Sequence, residues 1–295
     1  MISIIPDGFN DFVCKAGNCR HTCCQTWEID IDDDTAAYYL SLKGDLGKRL
    51  KKAIGKNEDG CYFKLNREGF CHFLRKDGLC EIILELGEDK LCDICTVHPR
   101  FFTYVEDYIL CGTGLCCEET CEILAGLEGP LQFTEEDTGR RLSFEALLQD
   151  MDLDLSPESC HYIPEIGTDY YKALLSRLAA TEPIDTAWTE EMKSLPQMGA
   201  QLTDKAKKYK TSYDKSLFDR LYQFILYRQL DKCLVYEPED VARYAKESTD
   251  YIFLKAALTG NPLEAMRRWS EQIEYDTENV DILLQALENN KMDSD

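Results

Sequence analysis

Apolar side chains recur at helical spacing through the second half of the chain. Leu217, Leu221 and Ile225 lie four residues apart and are flanked by further apolar residues, which predicts a helix with a wide buried face. Pro238 is followed at once by two acids, a pattern typical of a helix N-terminus. Similar patterns predict helices at 170–180, 261–269 and 280–287. We therefore expect residues 127–295 to form an all-helical domain.

The first 126 residues have shorter patterns that cysteines interrupt. Asp32 predicts a helix N-cap, and a basic helix is predicted from Leu46 to Ile54. Cys61–Leu65 has the composition of a short strand, and Asp77-Gly78 is a hairpin-type turn signal between two apolar segments. The expected fold is thus mainly α. A cysteine-rich metal-cluster domain over residues 1–126 contains a small strand pair, and the helical domain over 127–295 follows it.

Targeting signals and charge limit the possible partners. The amino terminus has neither a basic stretch nor a long apolar run, and no run of about 18 apolar residues occurs, so we expect a cytoplasmic protein without a membrane partner. The 295-residue chain has 33 Lys and Arg against 55 Asp and Glu, a net charge of −22. Because this charge repels phosphates, we expect no nucleic-acid partner.

Basic residues nonetheless concentrate between Leu42 and Lys76. They are Lys43, Lys48, Arg49, Lys51, Lys52, Lys56, Lys64, Arg67, Arg75 and Lys76. Two interpretations are open. The segment is either the solvated face of a helix or a docking surface for an anionic ligand or an acidic partner.

The cysteines are the most unusual feature of the composition. Thirteen of the 15 fall at or before Cys121. In a secreted chain this density would indicate disulfides, but in a reducing cytosol it indicates metal binding or thiol chemistry. The first group of cysteines is Cys14, Cys19, Cys23 and Cys24. Within it, Gly17-Asn18 allows the tight turn that would let these four thiols converge. The later Cys92-Asp-Ile-Cys95 is a C-x-x-C loop, which places two sulfurs on one metal.

Three kinds of thiol site can be weighed against these spacings, and two of them remain compatible. Structural zinc needs four thiolates in a tetrahedron, whereas an iron–sulfur cluster takes four cysteines from several loops. A thiol–disulfide oxidoreductase would need a thioredoxin-like pattern around the C-x-x-C, and the sequence lacks one. Spacing alone does not separate zinc from iron–sulfur. His21 lies between two cysteines and is either a metal ligand or a polar surface residue. His98 either positions Arg100 or a sulfur, or is structural. We favour the structural interpretation for both.

The cysteine-rich region resembles the flagellin lysine-N-methylases (FliB type) over about residues 9–126. The matching motifs begin with Phe12-Val-Cys14, Cys19, Cys23-Cys24 and Trp27 to Asp32. They continue with Cys71-His-Phe-Leu74, Gly78-Leu-Cys80-Glu-Ile82, Leu86-Gly87-Glu88, Leu91-Cys92, Cys95-Thr-Val-His-Pro99-Arg100 and Leu115-Cys-Cys117-Glu-Glu119. The family's cysteine, proline and arginine run maps onto Cys95, Pro99 and Arg100.

The resemblance implies a protein lysine N-methyltransferase that uses S-adenosylmethionine together with a [4Fe–4S] cluster. Its substrate would be flagellin or another lysine-bearing protein. The implied metal ligands are drawn from Cys14, Cys19, Cys23, Cys24, Cys71, Cys80, Cys92, Cys95 and Cys117. Arg100 has two interpretations: it binds the carboxylate of S-adenosylmethionine, or it braces the loop that carries the cluster. No catalytic residue follows from the resemblance.

The residues themselves leave a second function open. The glycine-rich loop of a conventional nucleotide-binding sheet is missing, since the sole Gly-x-Gly is Gly112-Thr-Gly114 with a cysteine three residues later. A methylase of this sequence would therefore hold S-adenosylmethionine in another way. The alternative is a non-catalytic zinc- or iron–sulfur-binding module for protein interaction or electron transfer.

Overall fold

A computed structural model describes residues 1–27 and 29–292, with side chains up to residue 289. Glu28, which belongs to the Trp27–Asp32 motif, and residues 293–295 lie outside the described residues. The chain forms two compact units. One consists of residues 13–100, and the other of residues 1–12 and 101–295. The predicted domain boundary after residue 126 lies inside the second of these units.

The described residues contain both helices and strands. The strands are β1 (Ile2–Pro6), β2 (Ile29–Ile31), β3 (Ile54–Lys56), β4 (Cys61–Phe63), β5 (Arg100–Val105), β6 (Tyr108–Thr113), β7 (Gln132–Glu135) and β8 (Arg141–Ser143). The helices of the first 130 residues are α1 (Asp33–Ser41), α2 (Gly44–Ala53), α3 (Glu81–Leu86), α4 (Asp93–Val97) and α5 (Glu118–Gly126). Those that follow are α6 (Phe144–Asp150), α7 (Thr168–Leu178), α8 (Thr186–Ser194), α9 (Ala200–Lys210), α10 (Lys215–Arg228), α11 (Pro238–Thr259), α12 (Pro262–Gln272) and α13 (Thr277–Met292).

The expectation of a mainly α protein is corrected by two sheets. The structure is 54% helical and belongs to the mixed α/β class. The helical C-terminal region is confirmed, but it is not all-helical, because β7 and β8 lie within it. These strands pair around the turn that contains Gly139, with Phe133 opposite Leu142. Strands of four and three residues have too short a pattern to be predicted from the sequence, and the other partner of β7, β1, lies far away along the chain.

Residues 1–12 and 101–295 build a five-stranded sheet in the order β5-β6-β1-β7-β8. β1 runs parallel to β6, with Ile4 opposite Leu110, and antiparallel to β7. Ile4 and Leu110 are buried in one hydrophobic core with the helices that follow. The Tyr227 hydroxyl of α10 lies 2.8 Å from the Ile4 carbonyl oxygen and 2.9 Å from that of Cys111. Helix α10 is thereby fixed to two neighbouring strands.

Residues 13–100 have their own sheet and core. The three strands are ordered β2-β4-β3, and both neighbours pair antiparallel with β4. Tyr39 of α1 and Leu50 of α2 are buried in one hydrophobic core with Ile29 of β2 and Phe63 of β4. This unit is where most of the cysteines lie.

The predicted hairpin around Asp77-Gly78 is replaced by a turn and a helix. Gly78 adopts a φ of 78°, as the turn signal predicts, and its amide donates to the Arg75 carbonyl. Pairing extends to a single bridge between Leu74 and Cys80. The apolar run that follows forms α3, because a short apolar run is compatible with helix as well as with strand.

Among the described residues, no helix has the length and apolarity that crossing a lipid bilayer requires.

Candidate metal centre

Five cysteines lie together at the core of residues 13–100, and we name them the thiol cluster: Cys24, Cys71, Cys80, Cys92 and Cys95. Cys71 and Cys92 are buried within this core, and Cys92 is 0% exposed. Cys24, Cys80 and Cys95 are partly buried and pack against it. The thiol cluster therefore draws its members from four segments of the chain.

Backbone hydrogen bonds join three of these segments. The Cys71 amide donates to the Cys24 carbonyl at 2.8 Å, and Gln25 forms an isolated bridge with Phe70. Cys80 forms a bridge with Leu74, directly after the turn. Cys24, Cys71 and Cys80 are thus held by paired backbone rather than by their side chains.

Cys92 and Cys95 are positioned by the N-terminus of α4. Cys92 precedes the first residue of the helix, and Cys95 lies in its first turn. The Asp93 amide donates to Oδ2 of Asp32 at 3.0 Å, while Oδ1 of Asp32 accepts from the Thr35 amide at 2.8 Å. One carboxylate therefore caps α1 and also holds the start of α4.

The thiols lie close enough to one another to shift each other's pKa values. The Cys23 thiol donates a hydrogen bond that lowers the pKa of Cys24 to about 7, although burial opposes this change. The pKa of Cys71 is raised to about 12, chiefly by burial and to a smaller extent by the negative charges of Cys24 and Cys80. Cys71 thus interacts electrostatically with two other members of the thiol cluster, Cys24 and Cys80.

The remaining two members of the thiol cluster, Cys92 and Cys95, are joined by a hydrogen bond between their side chains. A hydrogen bond from the Cys95 thiol lowers the pKa of Cys92. The same hydrogen bond raises the pKa of Cys95, and burial and the charges of Cys92, Cys24 and Cys71 add to that shift. These interactions connect the C-x-x-C pair to Cys24 and Cys71, and the charge of Cys92 also raises the pKa of Cys80.

Backbone amides face several of the sulfurs. Burial raises the pKa of Cys80, but the amides of Ile82 and Ile83 in α3 favour its thiolate. The amides of Phe73 and Leu74 do the same for Cys71. Amide hydrogen bonds to sulfur stabilise thiolates at helix N-termini and at metal sites.

Tyr39 lies beside the thiol cluster and is 0% exposed. Its hydroxyl donates to the Lys90 carbonyl at 2.6 Å. Burial, followed by the charges of Cys92, Cys95 and Cys80, raises the pKa of this hydroxyl, so it stays protonated. We interpret Tyr39 as a rigid support for the segment that leads into Cys92.

The first predicted group occupies the loop before β2. Cys14 and Cys23 are exposed, and Cys19 is partly buried. The Ala16 amide lies 3.4 Å from the Cys14 sulfur. A Cβ atom on Gly17 would lie 2.6 Å from the Asp77 carbonyl oxygen, so this loop approaches the turn before Cys80 closely.

The other predicted site residues lie elsewhere. Cys117 belongs to the second unit, where it precedes α5, and Cys116 and Cys121 are its neighbours. Arg100 is half-buried at the start of β5. His98 is also half-buried, and burial lowers its pKa to about 4, which keeps the ring neutral at physiological pH.

Two further observations concern metal and disulfide chemistry. Across residues 1–27 and 29–289, no three Cys, His, Asp or Glu side chains stand in an arrangement that holds a metal ion. All 15 cysteines are free of disulfide bonds.

Comparisons with protein-family models, with curated proteins and with solved structures gave no match.

Proposed function

We propose that this chain is a protein lysine N-methyltransferase whose thiol cluster provides the ligands of a [4Fe–4S] cluster. The observation that carries the proposal is the convergence of Cys24, Cys71, Cys80, Cys92 and Cys95 from four segments. All five belong to the ligand set that the flagellin lysine-N-methylase resemblance implies. The proposal thus narrows nine implied ligands to five, of which four would bind iron.

The donor chemistry of the thiol cluster suits this cofactor. Iron–sulfur clusters are held by cysteine thiolates, and hydrogen bonds to the sulfurs tune them. Each cysteine of a four-iron cluster binds a different iron, so the ligand sulfurs do not have to converge on one point. The amides of Phe73, Ile82 and Ile83 already face ligand sulfurs. When bound, the iron–sulfur cluster would supply redox-active, Lewis-acidic iron.

The methylase part of the proposal rests on the resemblance. S-adenosylmethionine is the proposed methyl donor, and Arg100 is the proposed contact for its carboxylate, because a guanidinium group pairs well with a carboxylate. The target amine must be neutral to attack the methyl group, so the protein has to remove a proton from lysine. Flagellin or another lysine-bearing protein is the proposed substrate, in the cytoplasm.

A second candidate is a non-catalytic zinc- or iron–sulfur-binding module for protein interaction or electron transfer. The observation in its favour is the pairing of Cys92 and Cys95 on one turn, which is also the arrangement that structural zinc sites use.

A methylation assay with two matched variants separates these functions. We expect the anaerobically purified protein to transfer radiolabelled methyl groups from S-adenosylmethionine to flagellin lysines. Cys71→Ser should lower the rate at least about tenfold, since it removes a buried ligand. Cys61→Ser is the control, because Cys61 lies in the same unit but outside the thiol cluster.

The outcomes distinguish the candidates. Full methyl transfer by Cys71→Ser would contradict the role of the thiol cluster. A metal-loaded wild-type protein that methylates neither flagellin nor a panel of lysine-bearing proteins would instead support the non-catalytic module.

A further inference from the structure

Charge is distributed very unevenly between the two units. Residues 13–100 contain 14 Lys and Arg against 15 Asp and Glu, so their charges nearly balance. The remaining residues contain 19 against 40. Most of the net charge of −22 therefore belongs to residues 1–12 and 101–295.

Within residues 13–100, exposed lysines gather along α2 and the strands after it. Gly47, Leu50 and Ala53 are the buried residues of α2, whereas the lysines of the helix are exposed. The chain then continues directly into β3, which pairs with β4. We name the exposed lysines of this region the basic surface: Lys48, Lys51, Lys52, Lys56 and Lys64.

Contacts place the members of the basic surface next to one another. Lys48 and Lys52 are four residues apart and so share one face of α2. The Lys64 amide donates to the Ala53 carbonyl at 2.8 Å, and Nζ of Lys64 lies 3.5 Å from the Lys52 carbonyl oxygen. Lys64 is thereby held at the end of α2.

Acids adjoin the basic surface in sequence, at Asp45, Glu58 and Asp59, but among the described residues none of them forms an ion pair with its lysines. Arg49 is bonded through both terminal nitrogens to Glu81, at 2.6 and 2.8 Å. By contrast, no ion pair to Lys48, Lys52 or Lys56 is formed within the described part of the chain. Unpaired like charges four residues apart destabilise a helix. Favourable interaction with the helix dipole accounts for Lys51 and Lys52 in the last turn, but not for Lys48 or for the lysines after the helix.

We infer that the basic surface is a docking site for a short acidic segment of a partner protein. Carboxylates of such a segment would complement the lysines of α2, Lys56 at the end of β3 and Lys64 directly after β4, and would relieve their mutual repulsion. Extended polyanions suit this molecule less well. Duplex nucleic acid or an anionic bilayer presents charge far beyond five lysines, whereas a short acidic segment matches the extent of the basic surface.

This inference goes beyond the proposed function and does not depend on it. A docking site for an acidic segment would serve a methylase or a non-catalytic module equally. Its failure would leave the assignment of the thiol cluster untouched.

A fluorescent decaglutamate peptide tests the inference with the full-length protein. We expect saturable binding that weakens several-fold when sodium chloride rises from about 50 mM to about 300 mM, because salt screens exposed charges. The variant K48E/K52E/K64E should bind at least about tenfold more weakly. The matched control is K205E/K207E/K208E, which changes three exposed lysines of α9 and the net charge by the same amount. The control should stay within about twofold of wild type.

Several outcomes would overturn the inference. They are equal losses in the two variants, binding no tighter than that of a glycine–serine peptide, and tighter binding of decathymidylate or of phosphatidylserine vesicles than of decaglutamate. Circular dichroism must show the same melting temperature for both variants. If the reversed charges impair folding, K48Q/K52Q/K64Q should still bind several-fold more weakly than K205Q/K207Q/K208Q.

Discussion

Asp32 connects two helix starts through the two oxygens of one carboxylate. Oδ1 accepts from Thr35 in α1, and Oδ2 accepts from Asp93 in α4. The sequence predicts the first contact, because aspartate before a helical segment is a typical N-cap. It does not predict the second, since 61 residues separate Asp32 from Asp93 and no local pattern records such a contact. At the residue scale, caps are predictable and long-range acceptors are not.

Replacing Asp32 by alanine should therefore lower the free energy of unfolding by more than the loss of one helix N-cap does. We expect Asp32→Ala to lower the free energy of unfolding by about 2–3 kcal/mol, against about 1 kcal/mol for a single cap, because the amides of two helix starts lose their acceptor. Denaturant unfolding followed by circular dichroism measures this change. Asp34→Ala is the control, since Asp34 is exposed in the same first turn and should cost at most about 0.5 kcal/mol. Equal costs for the two variants would contradict the dual role.

The thiol cluster also illustrates what residue spacing leaves undetermined. Cys92 and Cys95 are predictable as a pair because three positions separate them within one turn. Their association with Cys24 and Cys71 depends instead on tertiary pairing, such as the hydrogen bond between the Cys71 amide and the Cys24 carbonyl. The sequence accordingly predicts a pool of nine candidate ligands, and the fold brings five of them together.

At the scale of elements, amphipathic helices are the most predictable part of this protein. The stripe Leu217, Leu221 and Ile225 is buried in α10 as expected. The strands β1, β7 and β8 were not predicted, because their partners are remote. Ile4 pairs with Leu110 and with Glu135, more than 100 residues along the chain. A short strand carries too few residues for its pattern alone to identify it.

The contact between α10 and the five-stranded sheet can be tested by removing one oxygen atom. In Tyr227→Phe, the buried carbonyls of Ile4 and Cys111 lose their shared donor. We expect the free energy of unfolding to fall by about 1–2 kcal/mol, the cost of leaving a buried polar group unpaired. Chemical denaturation provides the measurement.

The matched control for this change is Tyr104→Phe on β5. Tyr104 is 60% exposed, so water replaces its protein contacts and its loss should be nearly neutral. If Tyr227→Phe changes the free energy of unfolding as little as this control does, the Tyr227 hydroxyl does not anchor α10 to the sheet.

At the scale of the whole molecule, the acidic residues and the cysteines concentrate in different compact units. The acidic balance belongs mainly to residues 1–12 and 101–295, whereas the thiol cluster lies within residues 13–100. The sequence predicted a boundary after residue 126, where cysteines become rare. The compact units instead follow the sheets, because β1 draws the amino terminus into the same sheet as β5 and β6.

The central claim is that the thiol cluster holds a [4Fe–4S] cluster. Its most direct test is to measure iron, zinc and acid-labile sulfide per chain in anaerobically purified protein, together with the visible spectrum. The claim predicts a brown protein with about four iron and four sulfide per chain and absorption near ~400 nm. A colourless protein that contains zinc and no sulfide would contradict it.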